Sequence, residues 1–275
     1  MSKINTLNQY ILLTRLNQPI GFLLLMLPCI WGVLAACNSI NDISNNWFLI
    51  FLLIIGSIVM RSAGCIINDI FDRNYDKKVS RTVLRPLAKG TITIFDASIC
   101  FIFLSLLGLS ILLSLNELSI IIGTIAFTLL LIYPLMKRIT YWPQLVLGIT
   151  FNIGVLISFS AVTGSINLSI LFLYCSGIFW TLGYDTIYAH QDKEDDLKIG
   201  VKSTAILFGT NSKKMISFFY LMMLVCLCLY GIIAANSIYY YISLLFVGGH
   251  LTYQVKVLNT NNHDICLSIF KSNQY

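Results

Sequence analysis

Three aspartates and two asparagines stand within nine positions in "NDIFDRNYD", residues 68–76, and a second acidic run, "YDTIYAHQDKEDD", covers 184–196. Each follows directly on a long apolar stretch. In a helix of 3.6 residues per turn, positions four apart stack on one face. Asn68, Asp72 and Asp76 form such a ladder, with Asp69 one position off it. Asp185, Asp192 and Asp196 are separated by seven and four, so they too share a stripe, while Glu194 projects elsewhere. Two bare carboxylate stripes at one membrane side would repel each other, and divalent cations resolve the conflict. Mg2+ prefers oxygen ligands and usually joins one or two carboxylates to a substrate phosphate. Arg73, Lys77, Arg81 and Arg85 follow the first cluster, and Lys198 and Lys202 the second. Carboxylates beside guanidinium and ammonium donors suit a metal-bound diphosphate, whose oxygens need both. One such cluster alone reads better as a solvated loop. Two of them, both at the exits of apolar runs and both followed by basic residues, point to an isoprenoid diphosphate above walls of Phe, Leu, Ile and Tyr.

The elements that position these residues are membrane helices. The chain is 57% hydrophobic with a mean hydropathy of +0.81, against about 45–50% apolar in soluble domains. Apolar stretches near the ~20 residues that cross a bilayer recur at 19–37, 47–67, 92–115, 118–136, 142–162, 166–184, 215–235 and 238–257. The connectors are too short for another domain, so residues 1–275 are expected to form a single domain. The odd connectors hold no Lys or Arg. The even ones hold Arg73, Lys77, Lys78, Arg81, Arg85 and Lys89, then Lys137 and Arg138, then five lysines from Lys193 to Lys214. Lys3 and Arg15 precede the first span. This positive-inside pattern places the N-terminus and the motif loops on the cytoplasmic side, and a bacterial inner membrane is the expected setting. The formal charge of +6 is therefore topology and not a nucleic-acid footprint. The N-terminus lacks a transit-peptide pattern, and the first apolar run is too long for a signal peptide, so the segment is expected to be retained. The eight cysteines sit in or beside apolar segments without a C-x-x-C and read as small buried hydrophobes.

"GCIINDIFDRNYDKKVSRTVLRPLAKG" (64–90) resembles the first aspartate-rich motif of the UbiA superfamily of intramembrane prenyltransferases, N-D-x-x-D-x-x-x-D followed by R-P-L. "YDTIYAHQDKEDDLKIGVKSTAILFG" (184–209) is similar to the second motif, in the form carried by its 4-hydroxybenzoate polyprenyltransferase branch. "YPLMKRITYWPQLVLG" (133–148) and "TRLNQPIGFLLLMLPCIWG" (14–32) match that branch as well, so the likeness runs from about residue 14 to the end. Gln18 departs from it, since many relatives carry a basic residue there. The resemblance implies an all-α, polytopic membrane helical bundle whose central cavity is capped by the two motif-bearing loops. It implies Mg2+-dependent transfer of a polyprenyl group from polyprenyl diphosphate to 4-hydroxybenzoate, ortho to the hydroxyl, in ubiquinone biosynthesis. Membrane lipid is a further expected partner, and nucleic acid is not. Asn68, Asp69, Asp72, Asp76, Asp185, Asp192 and Asp196 are the expected metal ligands. Arg15, Arg73, Lys77 and Lys202 are the expected diphosphate contacts, and Asp72, Asp192 and Arg138 the expected catalytic groups.

Other positions carry two readings each. Arg61, inside the second span, is either a functional group facing the bundle or a structural partner of an aspartate. Lys137 and Arg138 are either plain interfacial anchors or, by resemblance for Arg138, an anion contact. His190 lies off the acidic stripe and reads as a loop residue. "HDICLSIFKSNQY" (263–275) is interrupted by Lys271 and falls far short of the ~20 residues of a span. Relatives usually have a ninth transmembrane helix here, so eight transmembrane helices plus a truncated ninth are expected. The stub would lie at the interface and leave a groove open. The rival functions are a prenyltransferase with another aromatic acceptor and a cation-coupled transporter. The latter places its ionisable groups near the midplane, whereas these clusters lie at the membrane edge.

Overall fold

The computed structural model describes residues 3–274, with side chains from Leu7 onward; the side chains of Lys3 and Tyr275 lie outside the described residues. Among these residues there are helices and no strand. A first helix, α1 (Lys3–Thr14), precedes α2 (Ile20–Ala36). The short α3 (Ile40–Asn45) leads into α4 (Trp47–Asp76), and α5 (Pro86–Lys89) lies in the loop beyond it. Then come α6 (Ile94–Leu112), α7 (Glu117–Ile139), α8 (Pro143–Asn152) and α9 (Gly154–Thr163). The chain continues through α10 (Leu168–Ala189), α11 (Lys193–Ile199), α12 (Thr204–Phe208), α13 (Ser212–Ile233), α14 (Ile238–Val257) and α15 (His263–Ser272). The starts are set by small polar residues. Thr93, Asn116, Asn167 and Asn262 each accept a hydrogen bond from a backbone N–H of the first turn, satisfying a donor that has no partner inside the helix.

Among the described residues, six stretches are long and apolar enough to cross a membrane: Trp47–Asp76, Ile94–Leu112, Glu117–Ile139, Pro143–Thr163, Leu168–Ala189 and Thr204–Ile233. The expected count of eight crossings rests on two more. These are α2, apolar but only 17 residues long, and α14, which mixes Tyr239, Tyr240, Tyr241, His250 and Gln254 into its apolar sequence. At 30 residues, α4 is about 45 Å long, well beyond a hydrocarbon core of roughly 30 Å. Its last turns therefore carry Asn68 to Asp76 past the apolar zone without a break.

Two expected helices are interrupted. The run 142–162 is divided between α8 and α9 at Ile153, beside Asn152. That side chain is 1% exposed and donates to Gly148 O at 2.8 Å and to Thr181 Oγ1 at 2.9 Å. The acidic stripe of Asp185, Asp192 and Asp196 is likewise not on one helix, because α10 ends at Ala189 and α11 begins at Lys193. A turn at 190–192 replaces the helical spacing that the sequence predicts.

Packing is tightest where small residues allow it. A Cβ on Gly32 of α2 would lie 2.0 Å from Ser158 Oγ and 2.3 Å from Val155 O of α9, so these helices meet backbone to backbone. Helix α10 packs against α13, and with α2, α14 and α15 they bury Trp180, Tyr184, Tyr220 and Met223. The C-terminal stretch is packed into the bundle: Cys266 and Ile269 of α15 are buried in that same cluster, and Trp180 Nε1 donates to Asn273 Oδ1 at 2.9 Å. The helices enclose a cavity of about 1330 Å3. Its apolar arm runs between α4, α6 and α7, past Met60, Leu109, Leu112, Phe127 and Leu130, and its polar mouth lies at the motif-bearing ends of α4 and α10.

Candidate active site

The mouth is built from three chain segments. The C-terminal turns of α4 supply Asn68 and Asp76, the end of α10 with the following turn supplies Asp185, Tyr188 and Asp192, and α11 supplies Asp196. Arg15, Arg81, Arg85, Lys137 and Lys202 bring positive charge to the same surface. The structure therefore brings residues of both acidic motifs to one cavity.

The remaining carboxylates of the first motif sit behind the mouth. Asp69 and Asp72 have side chains 1% and 0% exposed and are ion-paired. Asp69 Oδ1 accepts from Arg15 Nη2 at 2.7 Å and from Arg85 Nη1 at 3.2 Å. Arg15 reaches it from a left-handed backbone with φ 55°, a conformation costly for a residue with a Cβ and common at functional positions. Asp72 pairs with Lys137 Nζ, with Arg138 Nη2 3.9 Å from its other oxygen. Arg85 Nη1 also donates to both oxygens of Asp76, at 3.0 and 2.9 Å. Its backbone is extended before Pro86, as the proline ring requires, and the Pro86–Lys89 turn of α5 anchors it there.

Arg81 ties the two motif loops together. Its Nε donates to Asp192 Oδ1 at 2.8 Å while Nη2 pairs with Oδ2, a bidentate contact, and Nη1 donates to the Tyr188 hydroxyl at 2.7 Å. Burial disfavours the Arg81 charge, but the Asp192 hydrogen bond and the neighbouring anions outweigh it, so its pKa is raised. Ser80 N donates to Asp195 Oδ2 at 3.0 Å, and that bond holds the Asp195 carboxyl below its usual range. Burial, with Asp192 alongside, pushes the Asp196 carboxyl up to about 7.

The predicted residues divide by place. Asn68, Asp76, Asp185, Asp192, Asp196, Arg15 and Lys202 line the cavity, whereas Asp69, Asp72, Arg73, Lys77 and Arg138 do not. Lys202 Nζ donates to Ile139 O at 3.1 Å, closing a carbonyl left open at the end of α7. Arg138 donates to Phe71 O at 2.6 Å and lies over the Tyr75 ring at 4.9 Å. Arg61 faces the cavity, its guanidinium 5.3 Å from the Phe151 ring centre, and makes no ion pair among the described residues. His190 is 2% exposed and off the cavity, and burial and Lys193 lower its pKa to about 4. The sequence places Arg81 and Arg85 among the basic residues that follow the first cluster and leaves Lys137 with two readings, but it assigns none of them, nor Tyr188, a specific contact. The contacts of Arg81, Arg85 and Tyr188 depend on turns at 77–85 and 190–192, and that of Lys137 on the packing of α7 against α4, none of which spacing encodes.

The donor set fits a hard divalent cation. Five oxygen-bearing side chains (Asn68, Asp76, Asp185, Asp192 and Asp196) reach the cavity. Asp185 and Asp196 carry no ion pair among the described residues. No three carboxylate, His or Cys groups form a closed metal cluster among the described residues. An ion held by one or two carboxylates together with substrate phosphates needs none.

A family model, the UbiA prenyltransferase family, matches residues 25–274. A protein from cattle (Bos taurus) named 4-hydroxybenzoate polyprenyltransferase, mitochondrial, is 48% identical over 272 residues, which cover 98% of this chain and 72% of that protein. The human (Homo sapiens) protein of the same name is 47% identical with the same coverage. The solved structure of a UbiA homolog from Archaeoglobus fulgidus bound to GPP and Mg2+ superposes with a TM-score of 0.74 at 17% identity, covering 97% of this chain and 95% of that one. That likeness is one of fold. The relatives overturn the expected bacterial inner membrane, because both are named as mitochondrial proteins of animals. The physical reason is plain: a Lys/Arg asymmetry reports which side of a bilayer a loop occupies and carries no information on which membrane that is.

Proposed function

Because the chain belongs to the UbiA prenyltransferase family, we propose that it transfers a polyprenyl group from a polyprenyl diphosphate to 4-hydroxybenzoate, ortho to the hydroxyl, in ubiquinone biosynthesis. The observation that carries this reading is the meeting of Asp76 with Asp185, Asp192 and Asp196 at the polar mouth of one long apolar cavity. Relatives named for this activity, at 48% and 47% identity, support the choice of acceptor.

The tail lies in the arm between α4, α6 and α7, which keeps water from the reacting carbon. Asn68, Asp76, Asp185, Asp192 and Asp196 are the residues that would hold Mg2+. Bound there, the ion supplies Lewis-acid stabilisation of the negative charge that builds on the departing diphosphate. Arg15, Arg81, Lys137 and Lys202 add fixed positive charge at the same end, aimed at the leaving group before it leaves. Arg85, Asp69 and Asp72 brace this layer from behind, and Arg138 braces Asp72 and the last turns of α4. As the allylic C–O bond breaks, the aromatic residues Tyr133, Phe151 and Tyr184 that line the cavity help to stabilise the positive charge on the prenyl carbon. That carbon bonds to the ring position ortho to the hydroxyl, the ring C–H bond breaks as aromaticity returns, and the proton passes to water or to the released diphosphate.

Membranes containing the protein, given labelled 4-hydroxybenzoate, Mg2+ and a ladder of prenyl diphosphates, are expected to form labelled prenylbenzoates. Turnover only with a different aromatic acceptor would overturn the acceptor assignment. No prenyl transfer to any acceptor would overturn the reaction class.

A further inference from the structure

Helix α15 presents two stripes. Cys266, Ile269 and Asn273 face the bundle and are buried. Leu267, Phe270 and Lys271, with Gln274 one turn on, line the cavity at the i, i+3, i+4, i+7 spacing of one helical face. Two polar anchors fix the helix in this orientation. One is the Trp180–Asn273 hydrogen bond. The other is Gln254, 1% exposed, which accepts from the Tyr220 hydroxyl at 2.7 Å and donates to Ser272 Oγ at 2.9 Å.

So held, α15 lays the Phe270 ring 4.4 Å from the Tyr188 ring, centre to centre. The Arg81 guanidinium also sits on the Tyr188 ring, 5.1 Å from its centre, and donates to its hydroxyl at 2.7 Å. The Tyr188 ring is thus confined by a phenylalanine and an arginine, and the arginine continues to Asp192 through two hydrogen bonds. A tyrosine side chain turns on two torsions. Taking away the Phe270 ring leaves Tyr188 free to swing and Arg81 with one fixed partner in place of two.

We infer that Phe270 is a positioning residue: it holds the Tyr188 ring, and through it the Arg81–Asp192 pair, in register with the leaving diphosphate. Helix α15 is then a working wall of the site. The inference rests on the reading that this pair handles a diphosphate.

The test uses the full-length protein, Phe270→Leu, Tyr188→Phe and the double variant, with melting temperature recorded for each. Phe270→Leu keeps an apolar side chain against the bundle and is expected to melt near wild type. Its kcat is expected to fall about tenfold or more, the usual consequence of misplacing a charged group by a fraction of an ångström to an ångström. The KM for 4-hydroxybenzoate should change little. Tyr188→Phe removes the hydroxyl bond to Arg81, so its loss should overlap with that of Phe270→Leu. The double variant is expected to be no slower than the slower single one, the mark of two residues acting through one group. Affinity for inorganic diphosphate with Mg2+, read by calorimetry, should fall in parallel and needs no turnover. If Phe270→Leu does not fold, Phe270→Met takes its place. Wild-type kcat together with wild-type diphosphate affinity in the folded Phe270 variant would overturn the inference, as would losses that multiply in the double variant. A wild-type protein that binds diphosphate but transfers no prenyl group, with affinity still lost in Phe270→Leu, would sink the proposed reaction and leave this link standing.

Discussion

Arg85→Met tests the electrostatic layer behind the cavity mouth. Arg85 Nη1 lies 3.0 and 2.9 Å from the two oxygens of Asp76 and 3.2 Å from Asp69. The side chains are 20%, 9% and 1% exposed, so water does little to screen the loss. Breaking a buried pair by removing one partner costs about 3–5 kcal/mol, because the other charge is left uncompensated. Asp69 keeps Arg15 at 2.7 Å, which confines the penalty to Asp76 and sets the expectation near the lower end, about 3 kcal/mol. For a chain of this size that is a fall in melting temperature of roughly 6–12 °C, measured by tryptophan fluorescence in detergent. Removing the second partner as well, in Asp76→Asn/Arg85→Met, takes away the stranded charge and is expected to restore at least half of the loss. A melting temperature for Arg85→Met within about 2 °C of wild type would refute this reasoning. So would a double variant no more stable than the single one.

Three further outcomes are expected. Asp192→Asn removes one charge at nearly constant volume and strips Arg81 of its charged bidentate partner, so prenyl transfer should fall about 10²–10³-fold together with some fall in melting temperature; turnover near wild type at saturating Mg2+ would remove Asp192 from the site. Asp196 is lifted to about 7 in the folded, metal-free protein, above the value of 3.8 that it regains on unfolding. The folded state therefore keeps a proton that the unfolded chain has lost, and stability should fall as pH rises from about 4 to 7; Asp196→Asn should flatten that part of the melting curve against pH, and identical curves would contradict the assignment. Arg138→Lys gives up the bond to Phe71 O, worth about 0.5–1.5 kcal/mol. It is expected to lower the melting temperature while leaving both substrates' KM values unchanged, and a raised KM for either would put Arg138 back in contact with substrate.

Much of this arrangement is legible in the residues. Apolar runs near 20 residues mark the long helices, because a bilayer leaves no other way to satisfy the backbone. The four-residue ladder of Asn68, Asp72 and Asp76 survives because α4 continues unbroken to Asp76. Spacing failed where the helix stopped. Asp185 and Asp192 reach one cavity through a turn, and which of the basic residues from Arg73 to Arg85 turn inward is fixed by the loop that α5 anchors. Lys271 looked like an interruption of an apolar run. It is one residue of a helix face, and the partners that hold that helix, Trp180 and Gln254, are 93 and 18 positions away from the residues they bind.

In the proposed reaction both acidic motifs serve one diphosphate at the cavity mouth during prenyl transfer. The most direct measurement follows diphosphate release and prenylbenzoate formation together, using purified protein, 4-hydroxybenzoate and a polyprenyl diphosphate. Equimolar products are expected with Mg2+, neither product after chelation, and severe loss of both in Asp76→Asn and in Asp192→Asn. Full turnover in either variant, or product formation that survives removal of divalent ions, would contradict the proposed reaction.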